Sequence, residues 1–242
     1  MNSGARPIPA SQRTARSDGE DTRARLLQAA LQLFSEKGFA QTSVRAIAQA
    51  AGTNVAAIAY HFGDKAQLYT ATFYEPFGSS SELIPVFTDP ALDLQSALHH
   101  YFAGFLEPLK HDDLFTQSLR LHVRELLDPT HVWSELMERE CRAPHLALVQ
   151  VLCRHMGASE VDDELHRLAF SLAGLAMQLW TQRDPLLAIA PQLGGSGAVD
   201  LWVERLTGYA LSMVQGEITR RAAANQPTRS APRASHKKES NA

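Results

Sequence analysis

Thr53, Asn54, Tyr60, His61 and Lys65 fall within one short stretch whose other residues are mostly small or apolar: Thr53-Asn54-Val55-Ala56-Ala57-Ile58-Ala59-Tyr60-His61-Phe62-Gly63-Asp64-Lys65. Polar and cationic groups on such a rim suit contacts to phosphate, which fix position and register on a nucleic acid. Ala56, Ala57 and Ala59 leave the backbone close to whatever it touches, and a thin helix face can lie deep in a DNA major groove about 12 Å wide. Base edges are within the reach of Thr53, Asn54, Tyr60 and the Ala56 and Ala57 methyls. The stretch holds no arginine, so bidentate guanine reading is not expected from it; Arg45 is the nearest guanidinium. With Thr42 and Ser43, these make a candidate DNA-binding set of Thr42, Ser43, Arg45, Thr53, Asn54, Tyr60, His61 and Lys65.

The elements that must position this set are two short helices. Val44, Ile47, Ala48 and Ala51 make a one-sided apolar stripe, with Thr42 and Ser43 before it able to cap free N–H groups. Gly52 can end that helix in the left-handed conformation. Asn54 can cap a second helix over about 55–62, pinned to a core by Val55, Ile58 and Phe62, and Asp64 can cap a third from Lys65 to about Tyr74. Helix, tight turn, helix is the layout that sets a second helix into the major groove. On spacing alone, an ordinary helical hairpin remains an equal alternative.

The wording of the segment is more specific. The runs Gly38-Phe39-Ala40-Gln41-Thr42-Ser43-Val44-Arg45-Ala46-Ile47-Ala48-Gln49-Ala50-Ala51-Gly52 and Ile58-Ala59-Tyr60-His61-Phe62-Gly63-Asp64-Lys65 closely resemble the N-terminal domain of TetR-like repressors, and the likeness reaches back through a helix over Thr22–Lys37. Arg124-Glu125-Leu126-Leu127-Asp128-Pro129, Ala143-Pro144 and the run Glu164 to Ser171 resemble the C-terminal domain of CecR-like regulators. Here Ala57 and Ala59 stand where the family often has Thr and Tyr, and Gly63 where it has Pro, so contacts of those two side chains do not carry over. Those at Tyr60, His61 and Lys65 do. The resemblance implies an all-α fold: an N-terminal three-helix helix-turn-helix DNA-binding domain and a larger C-terminal helical ligand-binding and dimerisation domain.

Other chemistries find little support. The chain has no Gly-x-Ser-x-Gly turn, no phosphate-cradling glycine loop and no pair of metal-binding histidines on a helix, so no catalytic residue, cofactor or metal is assigned. Cys141 and His145 are four apart, but with Cys153 and His155 they match no standard zinc spacing. The two cysteines, about 18 Å apart on one helix, cannot bond within a subunit, which fits a reducing cytoplasm. No run of 18 uncharged apolar residues indicates a membrane span, and no apolar signal region follows the N-terminus. The net charge of −3 is unevenly spread: 8 basic and 6 acidic residues over 1–75, 9 and 19 over 76–218, and 6 and 1 over 219–242. An acidic body repels DNA, confining contact to the N-terminal part, while the basic end can add nonspecific attraction.

Residues 1–17 read as a disordered arm, 18–75 as the DNA-binding domain, 76–222 as the effector-binding and dimerisation domain, and 223–242 as a disordered basic tail. Leu26, Leu27, Ala30, Leu31, Leu33 and Phe34 are the buried stripe of the first helix. Residues 76–81 read as a break and loop, and helices are expected near 91–110, 112–127, 130–156, 160–183 and 199–222, with Pro144 bending the third. In the last two, the stripes carrying Leu168, Leu172 and Leu175 and carrying Trp202, Leu206, Tyr209 and Met213 predict a two-fold four-helix interface between subunits; packing within one subunit is the alternative. Phe102, Phe105, Arg120, Arg124, Trp133, Met137, Met177 and Trp180 are candidates to line a pocket for a flat or greasy effector, or else are core. The expected function is a homodimeric repressor on a pseudo-palindromic operator, released by a partly apolar small molecule. The competing readings are an architectural DNA-binding protein without effector and a helical enzyme.

Overall fold

The computed structural model describes residues 10–78 and 80–224, so the first nine positions of the expected arm and the tail from 225 on lie outside the described residues. Within them every regular element is a helix, and no strand occurs. The helices are α1 (Ala10–Gln41), α2 (Val44–Ala50), α3 (Val55–Phe62), α4 (Lys65–Tyr74), α5 (Ser80–Thr88), α6 (Leu94–Leu106), α7 (Asp112–Leu127), α8 (Trp133–Leu136), α9 (Ala143–Met156), α10 (Asp163–Thr181), α11 (Arg183–Ile189) and α12 (Val199–Ala224).

Local chemistry sets most boundaries. Ser43, Asn54, Asp64, Asp93 and Asp162 each accept a hydrogen bond from the backbone N–H three residues on, so α2, α3, α4, α6 and α10 all start at a capping side chain. Gly157, at φ 66°, closes α9 in the left-handed conformation. α1 starts at Ala10, well before the expected start at 18, and is interrupted at Gly38, where φ 78° and ψ 171° are not helical. The path from Trp133 to Met156 runs on through a π-helical stretch over Met137–Arg142. That stretch lies just before Pro144, whose ring and missing N–H oppose regular α geometry in the preceding turn.

Two helices depart from the expected layout. α5 occupies part of the supposed loop and holds Pro85 inside it. It forms because of what it packs on: Phe87 is buried in the C-terminal core, and a Cβ on Gly104 of α6 would come within 2.8 Å of Leu83. α11 fills the stretch that was expected only to separate the last two long helices.

The core has two parts. Leu26, Phe34, Ile47, Ile58, Phe62, Leu68 and Tyr69 build the N-terminal one, and Leu121, Val132 and Leu136 reach into it from the larger domain. The second is formed by α6, α9, α10 and α12 around Leu98, Phe102, Leu152, Leu172 and Leu206. The two domains therefore meet through α7 and the segment after it.

Candidate DNA-reading and regulatory sites

α2 and α3 join through a turn that local residues close. Gly52 sits at φ 63°, and the Thr53 N–H donates to the Ala48 carbonyl at 2.9 Å. Asn54 Oδ1 accepts from the Ala57 N–H at 3.1 Å, and the residue is exposed. Ser43 Oγ is likewise engaged by the Ala46 N–H at 3.1 Å. Ile58 and Phe62 anchor α3 to the core, whereas Val55 is 41% exposed and joins the outer face instead. On that face Ala56 and Ala59 are open to solvent and Tyr60 is 84% exposed. His61 stands edge-on to the Tyr60 ring at 4.8 Å between centroids. Arg45 is exposed on α2.

Two members of the candidate set are placed otherwise than expected. Thr42 is buried, its hydroxyl 2.8 Å from the Gly38 carbonyl and 3.1 Å from that of Leu33, so it ties down the end of α1 and does not face outward. Lys65 is half-buried with its ammonium 4.3 Å from the centre of the Phe39 ring, and burial lowers its pKa. Gly63 explains one departure from the family wording: at φ 83° it donates its N–H to the Ala59 carbonyl, and proline can neither adopt that φ nor make that bond.

Residues that sequence reasoning missed hold this reader in place. The Arg23 guanidinium makes a bidentate pair with Glu75, at 2.5 and 2.6 Å, and lies 4.5 Å over the Phe62 ring, tying α1 to α3 and α4. Arg25 Nε donates to the Ala51 carbonyl at the end of α2. Their partners lie 52 and 26 residues away, and no local pattern announces them.

The proposed pocket residues do not converge. Phe102 is core, Trp133 packs against the N-terminal core, and Arg120 is exposed on α7. Met137 is exposed, and Met177 lies on the open face of α10. Arg124 turns to α1, where its Nη2 reaches the carbonyls of Ser35 and Glu36 at 3.5 and 3.4 Å. Its neighbour Glu125 does not pair with it but enters the domain junction, fully buried. Phe105 and Trp180 do meet, with Phe115 and His122 completing an aromatic cluster at 5.2 to 6.2 Å between centroids. Trp180 Nε1 is buried there without a hydrogen-bond partner. Burial lowers the pKa of His122, and its Nδ1 lies 2.8 Å from the Ser118 carbonyl; a neutral ring with its proton on Nδ1 satisfies both. A cleft of about 280 Å³ between α4 and the His131–Glu135 segment, and a groove of about 510 Å³ between Leu94 and α12, are lined by none of the eight candidates.

The expected dimer stripes are also redistributed. Leu168, Leu172 and Leu206 are buried in their own subunit, and Trp202 is half-buried with its indole N–H on the Leu193 carbonyl. Leu175 and Met213 are half-buried against the same core. The open faces carry Phe170 and Met177 on α10, and Leu201 and Tyr209 on α12, the last 54% exposed. Gly174, Gly208 and Gly216 sit mid-helix, and a Cβ on any of them would meet nothing within 4 Å in the subunit. His145 Nε2 and His166 Nδ1 are hydrogen-bonded at 2.9 Å, and among the described residues no group of three or more His, Cys, Asp or Glu could hold a metal.

A capped helix-turn-helix on a helical body is an arrangement found in DNA-binding transcriptional regulators, and the comparisons with known proteins agree. The family described as bacterial regulatory proteins, tetR family, matches residues 26–72, and the C-terminal domain of the HTH-type transcriptional dual regulator CecR matches residues 94–216. The chain belongs to the TetR family and to its CecR-like group. It is 28% identical to the dual regulator CecR of Shigella flexneri over 182 residues, 70% of this chain and 80% of that one. Likeness to the regulator AcrR of Shigella flexneri, 41% over 58 residues, covers only 24% of this chain and 27% of that one. Among solved structures, a putative transcriptional regulator of Pseudomonas aeruginosa PAO1 superposes with a TM-score of 0.59 at 19% identity, over 84% of this chain and 93% of that one. SmeT in complex with triclosan does so at 0.57 and 20% identity, over 81% and 90%. Among the described residues no helix is long and apolar enough to cross a membrane.

Proposed function

We propose that this regulator is a cytoplasmic homodimeric repressor that sets α3 of each subunit into successive major grooves of a pseudo-palindromic operator and lets go when a small molecule binds the larger domain. The observation that carries the reading is the split character of α3: Ile58 and Phe62 fix it to the core, while Tyr60 and the small Ala56 and Ala59 stand free on the other side. Such a helix can approach base edges closely, with Arg45, Thr53, Asn54, Tyr60 and His61 around it for phosphates and bases.

Dimerisation is supported by the glycines. A mid-helix glycine costs about 1 kcal/mol relative to alanine. Nothing in the subunit requires Gly174, Gly208 or Gly216, and they share α10 and α12 with the exposed Phe170 and Tyr209. A second copy packed closely on these helices accounts for both features. The effector is supported by the Phe105, Phe115, His122 and Trp180 cluster with its unpaired indole N–H, a buried donor that a ligand oxygen would satisfy. A structural neighbour is known as a complex with triclosan.

The test is selection of bound sequences from random duplex DNA with the purified protein, followed by a screen for compounds that release it. Inverted half-sites about one helical turn apart are expected. The absence of any preferred sequence sinks the reading. A selected operator that no compound releases favours an architectural protein without effector.

A further inference from the structure

Arg124 and Glu125 open the CecR-like run at the end of α7, and the reader site does not use them. The geometry points to these adjacent residues as a two-pronged clamp that sets the distance between the two reading heads, and so makes them determinants of operator spacing. This rests on the dimeric reading above. Glu125 is fully buried; one carboxylate oxygen accepts from the Tyr69 hydroxyl of α4 at 2.6 Å and the other from the Thr130 N–H at 2.8 Å. Burial and then this bond push the Tyr69 phenol pKa up, so it remains the donor. One residue earlier, the Arg124 guanidinium lies against the Ser35 and Glu36 carbonyls of α1. A Cβ at Gly38 would stand 3.1 Å from Arg124 Nη1, so the guanidinium would have to give way by a few tenths of an ångström.

One contact is a pivot; two, on different helices, fix an orientation. Apolar burial across the junction, including Leu121 and Val132, holds the domains together but is non-directional and tolerates sliding. Short hydrogen bonds to a buried carboxylate are directional and costly to leave unmade. On its other side α7 is tied to α10, one of the helices offered to a partner, because Trp180 packs on Phe115 and His122. The line of contacts therefore runs from the dimer frame through α7 to both α1 and α4. A small rotation at the clamp is carried to α3, changing the separation of the paired helices without altering what each one touches.

The test uses the operator selected by the full-length wild-type protein and the same duplex with one, two or five base pairs inserted between its halves. Each inserted pair moves one half-site by about 3.4 Å and turns it by roughly a tenth of a turn. Wild-type protein is expected to discriminate against a two-pair insertion by about tenfold or more. Tyr69→Phe and Arg124→Gln, with dimer mass and half-site sequence preference unchanged, are expected to reduce that ratio to about threefold or less. Arg124 is exposed, so Arg124→Gln folds whatever happens to Tyr69→Phe. A wild-type spacing profile in Arg124→Gln, or an equal loss of affinity at every spacing, overturns the clamp. Wild-type protein that selects no paired half-sites overturns the dimeric reading instead.

Discussion

Gly38 and Arg124 meet across the domain boundary: a Cβ on the glycine would stand 3.1 Å from the guanidinium, whose Nη2 reaches the Glu36 carbonyl at 3.4 Å. Two constraints coincide at this glycine. Its φ of 78° with ψ of 171° belongs to a region that residues with a Cβ hardly populate, and a Cβ there would crowd Arg124. Gly38→Ala is therefore expected to destabilise the fold by about 1–3 kcal/mol. Urea unfolding followed by circular dichroism measures this, and an unchanged midpoint would show that the backbone relaxes freely there.

A second contact gives stability a defined pH dependence. Asp162 caps α10 and makes a bidentate pair with Arg221 of α12, at 2.8 Å for each bond. The Arg221 hydrogen bond, helped by the Leu165 N–H, holds the Asp162 carboxyl at about 2, below its ordinary 3.8. A folded-state pKa depressed in this way means the carboxylate stabilises the fold fully above about pH 4, and its contribution is lost as the pH falls from about 4 to about 2. The pair is partly open to water, which limits its worth at neutral pH to under about 1 kcal/mol. Asp162→Asn keeps an oxygen for the cap but no charge. It should match the wild type closely at pH 7 and show a shallower loss of stability between pH 4 and 2. Parallel acid limbs for the two proteins would rule the pair out as their source.

What the sequence disclosed follows from the range of each interaction. Ser43, Asn54 and Asp64 cap donors three residues away, so their roles could be read directly. The buried set of Ile47, Ile58 and Phe62 follows from helical period in the same way. Thr42 could not be told from Ser43, because its inward turn depends on carbonyls four and nine residues back across the break at Gly38. The sequence shows the charge of Lys65 but not that its ammonium lies over the Phe39 ring. The partners of Glu125 and Arg124 in the other domain are 56 and 88 residues distant, beyond any periodicity. On α10 the stronger leucine stripe was expected at the interface, yet it serves the subunit's own core. The face it leaves exposed is weaker and mixed, with Gly174 and Phe170 on it.

That assignment of faces has a consequence of opposite sign for monomer and dimer. Replacing an exposed mid-helix glycine with alanine stabilises an isolated helix by up to about 1 kcal/mol. Gly174 and Gly208 have room for a Cβ within the subunit, so Gly174→Ala and Gly208→Ala should raise the stability of the separated subunit. If a second copy packs against these positions, the same methyl groups obstruct close approach, and dissociation should rise several-fold. Sedimentation equilibrium over a concentration series distinguishes the cases. A dimer tightened by either substitution would place the interface elsewhere.

Tyr60 offers the most direct test of the reader. It is among the most exposed large side chains described and touches His61 edge-on, so its removal takes away no core contact. Tyr60→Ala and His61→Ala are expected to leave thermal unfolding and dimer mass unchanged. Both should weaken binding to every DNA sequence to a similar extent, by about fivefold to thirtyfold for a loss of 1–2 kcal/mol. They would thus lower affinity without changing the preferred bases, as phosphate-positioning groups do. Titrations at several salt concentrations against the selected operator and a scrambled duplex provide the measurement. Should the operator bind undiminished, α3 does not enter the groove by this face; should only the operator weaken and not the scrambled duplex, Tyr60 reads bases and does not merely position the helix.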